Sequence, residues 1–260
     1  MGRLKAAGVV SACKVARGRA LGTYLIYGGN GGIGLAIART LADDGHDLHL
    51  VGRDGDRLSE VAAELGAGHS VADVTDPDQI ARAAGEAGDD LAGLVYAVGT
   101  INLKPLGRMT GDDFLTDFRV NAAGAALAVQ ASLDALKAGE GGSVLLFSSV
   151  AVSQGFAAHA SVSMAKGAVE GLTRALAAEL APKVRVNAIA PSLTATPLAA
   201  SMTASEQMAK AIAGMHAIPR LGSAEDHAAL AHVLLTDAGG WITGQVIGVD
   251  GGRSSLRTKG

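Results

Sequence analysis

Short apolar runs and longer amphipathic stretches alternate along most of the chain. Apolar runs of this length, separated by helical stretches such as 35–42, are typical of strands that are buried on both faces of a parallel sheet. The runs occupy positions 24–26, 47–53, 91–98, 142–149, 184–191 and 244–252, and a further strand is expected before Asp73. No linker or internal repeat interrupts them. The pattern predicts an α/β fold with one doubly wound parallel sheet of about seven strands and helices on both faces.

The predicted domain occupies residues 21–252, and short segments flank it at both ends. Residues 1–20 contain no acidic residue and resemble a mitochondrial presequence only weakly. Their basic residues break any apolar stretch too early for a secretory signal or a membrane span. We therefore expect residues 1–20 to be an extension outside the core, and residues 253–260 to be a short basic tail of no readable function.

Composition and charge exclude several classes of function. A net charge of −3 offers no electrostatic basis for binding nucleic acid. The chain is 48% apolar but 3% aromatic, so its core must consist mainly of small aliphatic side chains. Cys13 is the single cysteine, which excludes an internal disulfide and fits a reducing cytoplasm. The seven histidines form no cluster with metal-ligand spacing, so no metal site is predicted.

A glycine-rich turn follows the first apolar run and opens the first helical stretch. It runs from Tyr27 to Gly34 with the sequence YGGNGGIG, and Asn30 and Ile33 lie within it. A strand, a glycine turn and a helix start together present unpaired N–H groups and a positive helix end to a pyrophosphate. We expect Gly28 to permit the tight turn, Gly32 to leave room for phosphates, and Gly34 to let the helix approach the sheet.

This turn is similar to the TGxxxGIG turn of the short-chain dehydrogenase/reductase family, and the resemblance continues from about residue 21 to residue 252. It implies a Rossmann-type fold and a nicotinamide dinucleotide cofactor. Asp73 and Val74 resemble the family's adenine-binding pair, with Thr75 or Asp76 as a helix cap ahead of Pro77. Gly99 is what remains of the family's NNAG segment after the fourth strand.

The end of the second strand bears on the choice of cofactor. Gly52 stands near the site where NAD-preferring members carry an acidic residue, and Arg53 follows it. A guanidinium group pairs well with a 2′-phosphate, whereas glycine cannot bind a ribose diol. The resemblance therefore implies NADP rather than NAD, although Arg53 as a solvated loop cation is an open alternative.

Three of the family's four active-site residues have counterparts in this chain. Ser149 ends the fifth strand, Lys166 follows at the family's spacing, and Asn121 lies in a helical segment that matches the family's active-site asparagine. For Asn121 a purely structural helix bond is the alternative. The family's tyrosine, four residues before the lysine, is replaced here by Val162, which cannot protonate a substrate oxygen.

His159 is the candidate replacement for the missing acid. It precedes Lys166 by seven residues, the spacing at which enoyl-ACP reductases of the same superfamily place their tyrosine. Imidazole exchanges protons near neutral pH. A polar residue on a surface loop is the alternative, and Ser161 and Ser163 point away from the position of residue 162.

The segment after the sixth strand resembles the family's nicotinamide loop. Pro191 begins it, and Thr194 and Thr196 stand where hydroxyl groups meet the carboxamide, with a helix cap as the alternative for Thr194. Residues 194–216 are rich in alanine and methionine and predict a lid over an apolar ligand, although methionines at helical spacing also occur in ordinary packing.

These observations predict an NADPH-dependent oxidoreductase that reduces a carbonyl or a conjugated C=C bond in a small apolar substrate. The alternative is a catalytically silent NADP-binding sensor, or a partner subunit of an active relative. The resemblance also implies a homotetramer or dimer. We expect a cytoplasmic protein with no nucleic-acid or membrane partner.

Overall fold

The computed structural model describes residues 22–257, which form one seven-stranded parallel sheet flanked by helices. Cys13 and the predicted extension at 1–20 lie outside the described residues. The strands are β1 Thr23–Tyr27, β2 Leu48–Gly52, β3 Gly68–Val71, β4 Leu91–Tyr96, β5 Gly142–Phe147, β6 Val184–Pro191 and β7 Val246–Val249. Their order in the sheet is β3-β2-β1-β4-β5-β6-β7. The predicted Rossmann-type fold is confirmed.

Helices connect the strands and cover both faces of the sheet. The helices are α1 Gly32–Asp43, α2 Gly55–Leu65, α3 Pro77–Glu86, α4 Gly111–Phe118, α5 Gly124–Ala131, α6 Leu133–Ala138, α7 Val150–Ser153, α8 Ala160–Leu180, α9 Ala200–Thr203, α10 Glu206–Ala213 and α11 Ala224–Leu235. A π-helical turn, Arg119–Ala123, joins α4 to α5. No helix in the described part of the chain is long and apolar enough to cross a membrane.

Two apolar clusters hold the layers together, one on each face of the sheet. Successive strand residues alternate between them, so Ile26 joins the cluster beneath α1, α2 and α11, while Tyr27 joins the cluster beneath α3, α5 and α8. This alternation follows from the two-residue period of a strand. Because both faces are covered, β4 and β5 are buried along their whole length.

The order of the strands reverses between β1 and β4, where connections leave toward opposite edges of the sheet. In open α/β sheets such a switch point opens a crevice at the carboxyl ends of the strands, where ligands bind. A cavity of about 400 Å³ lies there. The strand order thus places the predicted site residues around one opening.

Candidate active site

The glycine turn packs as the sequence predicts. Gly28 has a positive φ of 80°, and a Cβ there would lie 2.9 Å from the carbonyl oxygen of Ala97. A Cβ at Gly34 would collide with the carbonyl oxygen of Gly28, so this glycine lets α1 approach the turn. Both positions therefore require glycine for close packing.

At Gly32 the glycine turn packs against Thr196, which belongs to the segment predicted as a lid. A Cβ at this position would lie 2.6 Å from Cγ2 of Thr196, a contact that sequence reasoning did not foresee. Helix α1 begins at Gly32, so the N–H groups of its first turn have no partner within the helix. That turn carries no acidic residue, and Ile33 lines the cavity. The arrangement fits a pyrophosphate bound between the turn and Thr196.

Polar groups lie around the end of β2, where residue 52 is a glycine and not an acidic residue. A Cβ at Gly52 would lie 2.6 Å from Oδ1 of Asn30, so the glycine makes room for the amide. Asn30 Nδ2 donates to the carbonyl oxygen of Asp54 at 3.3 Å, and Arg53 is exposed beside it. An amide and a guanidinium thus flank the place where the fold would hold an adenosine ribose.

Asp73 and Val74 follow β3, as predicted. The Asp73 carboxylate accepts hydrogen bonds from the N–H and hydroxyl groups of Thr75, and these bonds lower its pKa. Val74 is buried. Asp76 is the N-cap of α3, because its side chain accepts hydrogen bonds from the N–H groups of residues 78 and 79. Of the two residues predicted as the cap, the structure therefore selects Asp76 and not Thr75.

Ser149 lies in the cavity wall just beyond β5 and caps the short helix α7. Its Oγ accepts a hydrogen bond from Ala151 N at 3.1 Å. A hydroxyl that accepts in this way still has its own proton to donate. Ser149 is therefore held in place with a donor available to the cavity.

Lys166 and Asn121 converge above Gly99. A Cβ at Gly99 would lie 3.0 Å from Asn121 Oδ1 and 3.3 Å from Lys166 Nζ. Lys166 donates to the carbonyl oxygen of Phe147 at 2.8 Å, and burial lowers the pKa of its ammonium to about 8 although the Asp117 carboxylate opposes that shift. Asn121 Nδ2 donates to Thr100 Oγ1 and to the Asp117 carbonyl, whereas its Oδ1 is buried and has no partner in the described part of the chain. Asn121 thus makes the structural helix bond and also presents a free acceptor.

Val162 lies one helical turn before Lys166 on α8, lines the cavity and is 7% exposed. No tyrosine takes its place, since the hydroxyls of Tyr24, Tyr27 and Tyr96 donate to backbone carbonyls. Burial also raises the pKa of Tyr27 and Tyr96. The neighbouring serine hydroxyls of residues 161 and 163 donate to Asp117 and to the Ala151 carbonyl. Among the described residues, neither a tyrosine nor a neighbouring serine hydroxyl therefore takes the place of the family's tyrosine beside Val162.

His159 lies at the start of α8 and lines the cavity. Its Nδ1 is 2.7 Å from the carbonyl oxygen of Ala157, and its ring meets Phe156 edge to face, with 5.3 Å between centroids. Ala158 just before it has a positive φ of 63°, which is uncommon for a residue with a side chain. His159 is thus a partly exposed residue that nevertheless faces the site.

The segment 191–216 forms the cavity wall opposite α8, where Pro191, Thr194 and Thr196 all line the opening. It contains a short 3₁₀ turn and the helices α9 and α10, and Met202 and Met215 face the cavity. Thr194 is not a helix cap, because its hydroxyl pairs with His227 Nε2 at 2.7 Å. That this segment moves as a lid over the cavity remains a prediction.

A buried carboxylate behind the site was missed by sequence reasoning. Asp117 is 1% exposed and accepts from Thr100 Oγ1 at 2.6 Å and from the hydroxyl of Ser161. Thr100 also accepts from Asn121, which ties the carboxylate to that predicted site residue. Ser161 reaches Asp117 because α8 packs against α4, whereas Thr100 reaches it from the loop that follows β4.

Arg253 belongs to the tail for which the sequence predicts no function, and the structure places it in the cavity wall. Its guanidinium carbon lies 4.9 Å from the centroid of the Phe156 ring. No local sequence pattern indicates this contact, because a basic residue after the last strand is ordinarily solvated.

The buried His227 behind Thr194 predicts a pH-dependent stability. Burial lowers the pKa of its imidazole from 6.5 to about 4, so between these values the unfolded chain binds a proton that the folded chain does not. Stability is then lost as the pH falls through this window, by up to roughly 3 kcal/mol. Urea unfolding at pH 7 and pH 5 should show a smaller loss for His227→Gln than for the unmodified protein. The exposed His69→Gln should keep the full loss; equal losses in all three proteins would refute this account.

Comparison with known proteins identifies the family. Residues 28–254 match a family model described as enoyl-(acyl carrier protein) reductase. An uncharacterized oxidoreductase of Mycobacterium tuberculosis is 35% identical over 240 residues, covering 88% of this chain and 90% of that protein. Among solved structures, a short-chain type dehydrogenase/reductase from Mycobacterium ulcerans is 32% identical with a TM-score of 0.86, covering 91% of this chain and 90% of that one.

An actinorhodin polyketide ketoreductase, solved with NADPH, is 25% identical, again with a TM-score of 0.86. The match covers 90% of this chain and 98% of that one. These proteins match over most of their length, and the match includes the glycine turn and the segments that surround the cavity. The chain therefore belongs to the short-chain dehydrogenase/reductase family of NAD(P)-dependent oxidoreductases.

Proposed function

We propose that the protein is an NADPH-dependent reductase of a carbonyl group or a conjugated C=C bond in a small substrate. The observation that carries this proposal is that Ser149 and Lys166 line the same cavity as Ile33 of the glycine turn, with Asn121 buried beside Lys166 at Gly99. NADP is favoured over NAD because Arg53 and the Asn30 amide flank a glycine at position 52. The bound nicotinamide would supply the hydride.

The residues of this chain would handle the charge that develops on the substrate. The Ser149 hydroxyl, fixed by Ala151 N–H, donates to the oxyanion. Lys166 has three donor hydrogens, of which the Phe147 carbonyl takes one, so the others are available to ribose hydroxyls. Asn121 presents its free Oδ1 beside that ammonium and supports a proton relay.

Ser149→Ala tests this function. Removing one oxyanion donor is expected to lower kcat about 10²–10³-fold. NADPH oxidation should be followed on a panel of carbonyl and enoyl substrates, with Ser153→Ala on the same short helix as the matched control. If the unmodified protein oxidises NADPH and Ser149→Ala does so equally well, the oxyanion role is wrong.

His159 is the proposed proton donor in place of the tyrosine, because it lines the cavity and its Nδ1 is already held by Ala157. His159→Phe should reduce turnover at least about tenfold without changing NADPH affinity, since general acid–base assistance is typically worth ~10²–10⁴-fold. The exposed His69→Phe should change neither quantity. Unchanged turnover in His159→Phe would mean that Lys166 or solvent, and not His159, donates the proton to the substrate.

A second function has an observation in its favour. Val162 is apolar and buried, and the tyrosines at 27 and 96 are committed to backbone carbonyls, which suits a silent NADP sensor or partner subunit. That function predicts tight NADPH binding, no turnover on any panel member, and indifference to Ser149→Ala.

We also expect copies of the chain to associate as a dimer or tetramer. The edge strand β7 and the fully exposed Trp241 near it offer a surface for that contact. A cytoplasmic location is expected from the cysteine usage alone.

A further inference from the structure

Positively charged side chains line the cavity, whereas the carboxylates that act on them, Asp117 on Lys166 and Asp250 on Arg253, lie outside its lining. Most lining residues are apolar, and the ionisable ones are His159, Lys166 and Arg253; no aspartate or glutamate of the described residues lines it. A cation in apolar surroundings is costly unless it meets an anion. The wall is therefore complementary to a ligand that carries negative charge.

Arg253 is held in place by its backbone. The Asp250 carboxylate accepts hydrogen bonds from Gly252 N at 2.8 Å and Ser254 N at 2.9 Å, which fixes the turn around it. Arg253 N donates to the Asp250 carbonyl at 3.1 Å, and Gln154 Nε2 donates to the Arg253 carbonyl at 2.7 Å. This last bond ties the turn to the segment that follows Ser149 and α7.

The Arg253 side chain is positioned but not neutralised. Its guanidinium stacks on Phe156, whose edge meets His159 on the active-site side. The residue is partly exposed, but its Nη1 atom is buried and has no hydrogen-bond partner among the described residues. Burial lowers the pKa of the guanidinium while Asp250 opposes the shift, yet an arginine stays charged in proteins. A buried charged donor without a partner is unusual enough to require an explanation.

We propose that Arg253 binds a terminal carboxylate of the substrate, whose apolar body lies between this guanidinium and Ser149. The inference rests on the proposed function for the identity of the reacting end, and it makes the substrate class an apolar acid rather than a neutral hydrocarbon ketone or alkene. Guanidinium groups bind planar carboxylates through paired hydrogen bonds. A purely structural role, in which Arg253 only packs the last turn against Phe156, is the competing account.

Calorimetric titration with hexanoate and with hexanamide separates the two accounts. The acid and the amide have the same carbon chain, and neither can be reduced at a conjugated bond. Hexanoate should bind the unmodified protein, and Arg253→Leu should weaken that binding by about 10- to 100-fold. Arg253→Lys should retain part of the affinity, and Arg257→Leu, on the exposed part of the same tail, should retain all of it. Hexanamide should bind weakly and equally to all four proteins.

Equal binding of acid and amide, or full hexanoate affinity in a folded Arg253→Leu variant, would overturn the proposal. If Arg253→Leu does not fold, Arg253→Lys decides: an unchanged hexanoate affinity, or the lack of any preference for the acid over the amide, refutes the proposal. The titrations are run with and without NADPH. Arginine-dependent hexanoate binding in a protein that neither binds nor oxidises NADPH would refute the proposed reductase while leaving the anion site in place.

Discussion

Val162→Tyr is expected to raise kcat for carbonyl reduction by about 10- to 10³-fold, because a positioned general acid usually contributes ~10²–10⁴-fold and His159 is expected to supply about tenfold of this. Residue 162 lies four positions before Lys166 on α8, so the two side chains share a helix face. A phenol in this position would extend into the cavity beside the ammonium, which would make it a stronger acid. The measurement is steady-state NADPH oxidation with the carbonyl substrates that the unmodified protein reduces slowest.

Val162→Phe is the matched control, because it adds the same ring without the hydroxyl. A gain for tyrosine that phenylalanine does not reproduce would show that the missing acid limits the rate. Equal rates for the two variants would mean that the site obtains its proton elsewhere, or that residue 162 does not stand where the family's tyrosine acts.

Lys166→Met is expected to lower kcat/KM by about 10²-fold or more, because it removes a cation that serves both ribose binding and proton transfer. Burial lowers the pKa of this ammonium to about 8, so its charged fraction falls as the pH rises through that value. Turnover of the unmodified protein should therefore decline above about pH 8. The measurement is kcat/KM at pH values on both sides of this pKa.

Lys137→Met, an exposed lysine on α6, should leave both the rate and the pH profile unchanged. The proposed role of Lys166 is wrong if Lys166→Met keeps most of its activity. It is also wrong if the unmodified protein shows no decline above the pKa of about 8 while the cofactor stays saturating.

Most strand positions could be predicted because β1, β2, β4, β5 and β6 are largely buried on both faces and therefore form continuous apolar runs. The edge strand β3 is mostly exposed and forms no such run. The glycine turn was equally readable, since Gly28 and Gly34 meet backbone atoms that exclude any side chain. The π-helical turn at Asn121 could not be predicted, because one extra residue shifts the phase of the apolar face only once and leaves no repeating pattern in the sequence. It fits the frequent occurrence of such turns at functional sites.

Contacts between distant segments account for the rest. Asp117 meets Ser161 because α4 packs on α8, and it meets Thr100 through the loop that follows β4. Arg253 meets Phe156 because the last turn folds back over the cavity. None of these pairings leaves a local signal in the sequence. The role of Thr194 could not be predicted for the same reason. Its hydroxyl pairs with His227, which lies on the distant helix α11, and does not cap a helix.

Titration of the purified protein with NADPH and with NADH, followed by nicotinamide fluorescence, tests the central claim most directly. The glycine turn, Asn30 and Arg53 predict micromolar binding of NADPH and much weaker binding of NADH. Absence of binding for both cofactors would contradict the account, because neither the reductase nor the silent NADP sensor could then be correct.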